Sequence, residues 1–333
     1  MFKKILIATF GLALLIILTV PPATKSEAGS IHPDCVDHDQ PQLCTRVVEE
    51  LIAELGRFNE AFNPPDLDRL ATFFHEDAIV FSGGRFFAGR EEIRNELLTP
   101  LVAGITGATV DISAFRFQVI NPNLAIAYGS PRTVIKLPGG GTVTLPPLTQ
   151  SHTWIRTSEN GERRFVLLTD HNGGSERELT DVGSTAAAGT NADCVTHHEP
   201  RLCTRVIEEL TAELDRFNDA FASPDADELA AFFHEDAILF VDSTGRFFRG
   251  HDEIRNDFFA PLVAGILDAR VDTSVFHFRV IGPDLVVLFG SPTTVITLTD
   301  GSKVTLPPLP QTLTWARQGG DRARPFVILT DHE

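Results

Sequence analysis

The stretch CTRVVEELIAELGRFNEAF, beginning at Cys44, returns as CTRVIEELTAELDRFNDAF from Cys203. FFHEDAIVF returns as FFHEDAILF, TVTLPPL as KVTLPPL, and RFVLLTDH as PFVILTDH. The offset is 159 positions up to Phe81 and 161 beyond it, because the loop VDSTGR is two residues longer than SGGR. Solenoid units are far shorter than this period, and each copy, at about 140 residues, is long enough to bury a core of its own. The chain therefore reads as two whole domains in tandem, residues 34–172 and 193–333. Between them GGSERELTDVGSTAAAGTNA (173–192) has Gly, Ser, Thr and Ala without an apolar period, the composition of a flexible linker.

Within a copy, helices come first and strands follow. Leu43, Val47, Leu51, Leu55, Phe58 and Phe62 step at helical spacing and predict a long amphipathic helix. PDLDRLATFF predicts a short second helix after a Pro-Pro break. AIVF and RFFAG predict strands around a glycine turn, and REEIRNELLTPLVAG a third helix ending near Gly104. Four long β segments follow: ATVDISAFRFQVI, LAIAYGSPRTVIKL, TVTLPPLTQSHTWIR and RRFVLLTDH. NPN, PGGG and SENGE read as their turns. The expected fold is α+β, with three helices on one face of a curved, mainly antiparallel sheet in each copy.

Lys3 and Lys4 precede an apolar run from Ile5 to Val20, and Ser26-Glu27-Ala28 offers small residues before Gly29. This is the pattern of a secretory signal peptide over residues 1–28. The rival reading is a retained anchor, but the run falls short of the ~20 residues of a spanning helix. Export predicts a secreted or periplasmic protein. Losing three lysines and one glutamate with the signal takes the formal charge from −17 to −19. So acidic a surface repels phosphate backbones, and nucleic acid is not an expected partner. No later segment is long and apolar enough to span a membrane.

Each copy opens with an odd phrase, DCVDHDQPQLC from Asp34 and DCVTHHEPRLC from Asp193. In an oxidising compartment an even number of cysteines at matched spacing predicts disulfides, here Cys35–Cys44 and Cys194–Cys203. The rival is a metal site on Cys35, His38 and Cys44, or on Cys194, His197 and Cys203. It supplies three ligands per copy without the paired short spacings of zinc modules. The cysteines are read as staples, with no metal expected.

The order of three helices and a long meander, with RFNEAFNPPDLDRLATFFHEDAIVFSGGRFFAGREEIRNEL at its centre, resembles the nuclear transport factor 2-like (SnoaL-like, ketosteroid-isomerase-like) superfamily over nearly all of both copies. The points of resemblance are Asp66, Asp77-Ala78, Gly89 and the helix from Arg90. In the second copy they are Asp225, Asp236-Ala237, Gly250 and His251. The resemblance implies a cone with an apolar pocket, and copies that pair through the open faces of their sheets. It also permits a position-by-position check of isomerase chemistry, which needs a carboxylate base and acidic hydroxyl donors. The tyrosine donor falls on Phe58 and Phe217. The catalytic aspartate falls on Ser82 and Val241, with Asp242 one place out of phase. Phenylalanine has no proton to give and valine accepts none, so those catalytic positions are not retained.

Other candidates come from the strands. Gln150, His152 and Trp154 alternate onto one face, and a histidine there can act as acid or base near neutral pH. The second copy has Gln311, Leu313 and Trp315, so that chemistry belongs to copy 1 alone. Asp170-His171 and Asp331-His332 end the last strands with side chains on opposite faces. Of these, His171 and His332 are expected to reach the cone mouth. His75 and His234 are expected in a turn before their strand. The chain has 25 Phe against one Tyr and two Trp, so a pocket would have apolar walls with few hydroxyls. The expected lining is Phe58, Phe62, Phe81, Ser82, Gln150 and Trp154 in copy 1. In copy 2 it is Phe217, Phe221, Phe240, Gln311 and Trp315.

No phosphate loop, nucleophile elbow or dinucleotide fingerprint occurs, and no cofactor is expected. Three functions stay open. The first is an exported module holding a small apolar molecule in one or both cones. The second is a lyase, isomerase or hydrolase using His152 or Asp242, and the third a structural or interaction protein. Sheet strands apolar on both faces, as in RFVLLTDH, further predict that the two copies pack sheet to sheet as an intramolecular pseudo-dimer.

Overall fold

The computed structural model describes residues 30–159, 162–172, 194, 197–241, 244–318 and 325–332. The expected signal segment (1–28), the linker (173–192) and Asp242 lie outside them.

A 3-10 turn (Pro33–Cys35) leads into α1 (Pro41–Ala61), which starts with a proline, the residue whose missing N–H costs nothing there. Val47, Leu51 and Leu55 are buried along one stripe of α1, joined by Cys44 and Val48. The Cys35–Cys44 disulfide ties the turn to the first turn of this helix, Cα to Cα 5.6 Å. The loop it closes covers a sheet edge. Asp34 accepts the Phe117 N–H at 3.0 Å, and His38 Nε2 donates to the Val119 carbonyl at 3.2 Å while its Nδ1 accepts the Gln40 N–H. Both ring nitrogens of His38 are thus committed to backbone, and both cysteines to each other. Cys194–Cys203 and His197 repeat the arrangement on Val280 and Glu199. The metal alternative has no ligands left in either copy.

Asp66 caps the short α2 (Leu67–Ala71) by accepting the Arg69 N–H. β1 (Phe74–Ser82) and β2 (Arg85–Ala88) form a hairpin. Gly89, at φ +89°, opens the third helix, and a Cβ there would press on the Glu76 carbonyl at 3.2 Å. The helix expected over 90–104 is not uniform. It runs as α3 (Arg90–Glu92), a π-helical turn (Ile93–Leu98) and α4 (Thr99–Ala103). Ile93 and Leu98 are both buried, and the wider turn brings residues five apart onto the core side.

Three of the four long β segments are divided, and RRFVLLTDH stays whole. The first becomes β3 (Gly107–Val110) and β4 (Phe115–Asn121), separated by a 3-10 turn that Asp111 caps. The second becomes β5 (Leu124–Gly129) and β6 (Thr133–Lys136), broken at Ser130-Pro131, where proline offers no ladder N–H. β7 (Thr142–Thr144), β8 (Gln150–Glu159) and β9 (Glu162–Asn172) complete the copy. The main sheet has the order β2-β1-β9-β8-β5-β4, and β3-β6-β7 form a second, small sheet. Only β1 and β9 run parallel. His75 lies inside β1, not before it, but at a register irregularity where its Nδ1 accepts the Asp77 N–H, so the local turn survives as a bulge.

Copy 2 repeats the order with α5 (Pro200–Ala222), α6 (Ala226–Ala230), β10 (Phe233–Val241), β11 (Arg246–Arg249), α7 (Gly250–Glu253), α8 (Ala260–Val263) and β12 (Ile266–Val271). Then come β13 (His277–Gly282), β14 (Leu285–Gly290), β15 (Thr294–Leu298), β16 (Lys303–Thr305), β17 (Gln311–Arg317) and β18 (Phe326–His332). The architecture is two tandem α+β cones, each a curved sheet with its helices on the inner face.

Each sheet is apolar on both faces. In copy 1 the inner face sets Val80, Phe117, Trp154, Phe165 and Leu167 against Val47, Leu51 and Leu55 of α1. On the outer face Ile79, Leu124, Ile155, Val166 and Leu168 share a cluster with Val287 and Leu329 of copy 2. Contacts between the copies come in matched sets. Phe86 meets Phe289 at 5.5 Å and Tyr128 meets Phe247 at 5.1 Å. Gln118 donates to Asp236 at 2.8 Å, and its counterpart Arg279 lies 3.7 Å from Asp77.

Candidate functional site

Strand alternation sends Gln150, His152 and Trp154 to the inner face of copy 1. Their exposure rises toward the end of the sheet where β1 and β9 finish. Trp154 is fully buried, His152 is 7% exposed, and Gln150 is half-buried. The His152 ring packs on Phe115 at 5.1 Å and edge-on to Trp154 at 6.3 Å. Across the ladder His152 faces Asp170, with Nε2 3.3 Å from Oδ1, an ion-pair distance without hydrogen-bond alignment. The Nδ1 of His152 is buried and makes no hydrogen bond among the described residues. The result is a largely buried imidazole–carboxylate pair beside the half-buried Gln150, at the end of an aromatic wall.

Asp170 is there because of a bulge. Counting back from the β8–β9 turn, Ile155 pairs with Val166 and Trp154 with Leu167, which would set His152 opposite Thr169. The register shifts at Leu168, so Thr153 pairs with Thr169 and His152 with Asp170. The same shift reverses the last strand residues. His171 and His332 do not reach the cone mouth. They lie on the outer face, 2% and 0% exposed, stacked on each other at 4.9 Å. Plain alternation from Phe165 and Leu167 would place His171 on the inner face, and one extra residue inverts every side chain beyond it.

Phe58 and Phe62 do lie under the helix on the inner side. Phe58 makes edge-on contacts with Phe62, Phe73 and Phe74 at 5.1, 5.3 and 6.4 Å. Phe217 and Phe221 repeat the arrangement with Phe232 and Phe259. These rings pack on each other as core. Phe81 and Phe240 are placed differently from the expected lining. Phe81 stacks on His171 at 4.7 Å and Phe240 packs on Phe247 at 4.8 Å, both on the outer face. The alternation of β1 requires this, since Val80 is on the inner face and Ile79 on the outer. Ser82 is half-buried at the end of β1, paired with Arg85.

In copy 2 Leu313 stands opposite Asp331, and Gln311 and Trp315 keep their strand places. No imidazole joins that carboxylate from β17. Trp154 and Trp315 share one further property: each indole Nε1 is buried without an acceptor among the described residues. Elsewhere, ligating atoms of His75, Glu76 and Asp77 lie within 4.8 Å of one another, and Arg279 already neighbours that Asp77. A shallow groove in copy 2 is lined by Arg216, Phe232 and Phe326. No helix among the described residues is long and apolar enough to cross a membrane.

The model of the SnoaL-like domain family matches residues 214–321, inside copy 2. Among solved structures, the chain is similar to a nuclear transport factor 2-like superfamily protein from Salmonella enterica, at 16% identity, covering 42% of this chain and 98% of that one, TM-score 0.33. It is similar to a putative dehydratase of the nuclear transport factor 2-like family from Streptomyces avermitilis at 13% identity, covering 39% and 96%, TM-score 0.33. A nuclear transport factor 2-like protein of unknown function from Shewanella oneidensis is similar at 19% identity, covering 38% and 97%, TM-score 0.30. No curated protein matches the sequence.

Proposed function

We propose that the chain is a tandem protein of the SnoaL-like kind, since the family model matches residues 214–321 of copy 2 and copy 1 repeats that sequence, and that it is an exported binding protein whose first cone takes a small, mainly apolar molecule and orients it on His152 and Asp170. The observation that carries this reading is the pair itself. It lies 3.3 Å apart near the end of an aromatic inner face, with Asp170 partly exposed, and Leu313 replaces the imidazole in copy 2. Apolar walls with a few convergent polar atoms suit a hydrophobic ligand bearing one polar group. Copy 2 then serves as the structural partner. The matched contacts between the copies support an intramolecular pseudo-dimer, with domains at 34–172 and 193–333 and residues 173–192 joining them. The disulfides agree with a secreted or periplasmic location.

A second reading rests on the same pair. A histidine held beside a carboxylate is the arrangement of a general acid–base, which would make copy 1 a lyase, isomerase or hydrolase of the SnoaL-like kind.

Native mass spectrometry of the purified chain and of His152→Leu, which installs the residue of copy 2, tests the binding reading. One small molecule retained per chain, and lost in the variant, is the expected result. Equal retention by both proteins would overturn the role of His152, and two molecules per chain would overturn the asymmetry between copies. Conversion of the retained compound by the native chain but not by His152→Gln would favour the catalytic reading.

A further inference from the structure

The outer face carries an unusual strip where the two sheets meet. Ser151, Thr153, Thr169 and His171 of copy 1 are buried there, with Thr312, Thr314, Thr330 and His332 of copy 2. Thr153 and Thr314 approach to 3.4 Å between hydroxyl oxygens. At the end of the strip His171 and His332 stack with planes 14° apart, and Phe81 and Phe240 flank them at 4.7 and 6.1 Å. The polar atoms around the two rings are largely without partners. His171 Nδ1, both ring nitrogens of His332, Ser151 Oγ and Thr312 Oγ1 are buried and make no hydrogen bond among the described residues.

We propose that His171 and His332 form an acid-sensitive latch between the copies, closed while both rings are neutral and released when they take up protons. The proposal rests on the paired arrangement of the two copies put forward above. Neutral imidazoles can stack in an apolar setting. A protonated ring there would be a buried charge beside a second imidazole, with at most the neutral hydroxyls of Ser151 and Thr312 beside it and no carboxylate on that face to balance it.

The surrounding ionisable groups do not offset this. Asp170, next in the chain, favours protonation of His171 but sits on the opposite face with His152. His152 and His171 both oppose a charge on His332. Asp331 adjoins His332 in β18, Tyr128 on β5 is hydrogen-bonded to Arg249 of β11, and His277 of β13 is stacked on Phe289. Burial pushes His171 down to about 4 and His332 well below its ordinary value. In the opened form both return toward about 6.5. The latch is therefore complete above pH 6.5, where both forms are neutral. It weakens as pH falls from there toward 4, because only the opened form binds protons in that window. For His171 alone, the shift from 6.5 to about 4 moves the closed-to-open equilibrium about 300-fold toward opening.

X-ray scattering of the full mature chain at pH 7.5, 6.0 and 4.5, with far-ultraviolet circular dichroism at each pH, tests this. The expected result is a radius of gyration that grows between pH 6.0 and 4.5 while the secondary structure is kept. In His171→Phe/His332→Phe, which retains two stacked rings without titration, the chain should stay compact at pH 4.5. An unchanged acid transition in the double variant would overturn the latch and place the sensitivity on other groups. If the double variant does not fold, imidazole C2–H proton signals of the native chain decide. Two histidines taking up protons together with the opening support the latch, and opening without their titration overturns it. A chain already extended at pH 7.5 would overturn the paired arrangement, and the latch with it.

Discussion

His152 gains its partner through the ladder and its setting through Phe115 and Trp154, so removing the ring tests site and stability separately. In His152→Leu the volume is roughly kept and Asp170, at 16% side-chain exposure, can be solvated. Urea unfolding should therefore change by no more than about 1 kcal/mol, the ordinary range for a partly exposed pair, while ligand retention is lost. A loss above about 3 kcal/mol would show a buried structural ion pair instead. The indole N–H groups of Trp154 and Trp315 make a second test. A buried donor without an acceptor is costly, and a ligand with a carbonyl oxygen would satisfy it. On adding 1-indanone, the Nε1–H proton signal of Trp154 is expected to move downfield, whereas indane should leave it in place. Movement of Trp315 alone would put the bound ketone in the wrong cone.

Among the elements, the β8–β9 hairpin and the cysteine loop matter most. Deleting Leu168 removes the extra residue of the bulge and should leave the pairing beyond it in place, Thr169 opposite Thr153 and Asp170 opposite His152. The expected outcome is a chain weakened by the loss of a buried outer-face leucine that still retains ligand, with the signals of His152 and His171 little changed. Loss of ligand would show that the bulge itself, and not the register it sets, shapes the site. The cysteine loop does two things: it shortens the unfolded ensemble and it shields the outer edge of β4. Replacing Cys35 and Cys44 by serine should cost about 2–3 kcal/mol for a loop this short. It should also speed amide exchange at Phe117, whose N–H rests on Asp34, the residue just before that loop. Exchange at Phe117 no faster than in the parent would show that the loop holds its place without the bond.

At the scale of the whole molecule, two sheets with apolar outer faces need cover. Each buried Val, Leu or Ile contributes roughly 1.5–3 kcal/mol relative to leaving it exposed. Ile79, Val166, Leu168, Val287 and Leu329 find that cover in one another. Two domains joined by about 20 flexible residues have an effective concentration near the millimolar range, which favours the proposed intramolecular pairing. The chain without residues 1–28 should then run as a monomer by light scattering, with a radius of gyration of about 19 Å for its length. A dimer of whole chains that dissociates on dilution would show that the outer faces prefer a second molecule.

The sequence by itself determined the repeat, the order of helices and strands, the disulfide partners and the face shared by Gln150, His152 and Trp154. These follow from local spacing, from compartment chemistry and from alternation over a few residues. It also showed that Leu313 breaks the symmetry of the copies. The tertiary structure decided what depends on register and on the neighbouring sheet. The bulges at Leu168 and Leu329 leave no mark in the sequence, since either face accepts a leucine, yet they set Asp170 opposite His152 and send His171 outward. Phe81 and Phe240 could not be assigned to a face without knowing that both faces are covered. The stack of His171 on His332 joins residues 161 positions apart in two different domains, a contact that no local spacing can encode.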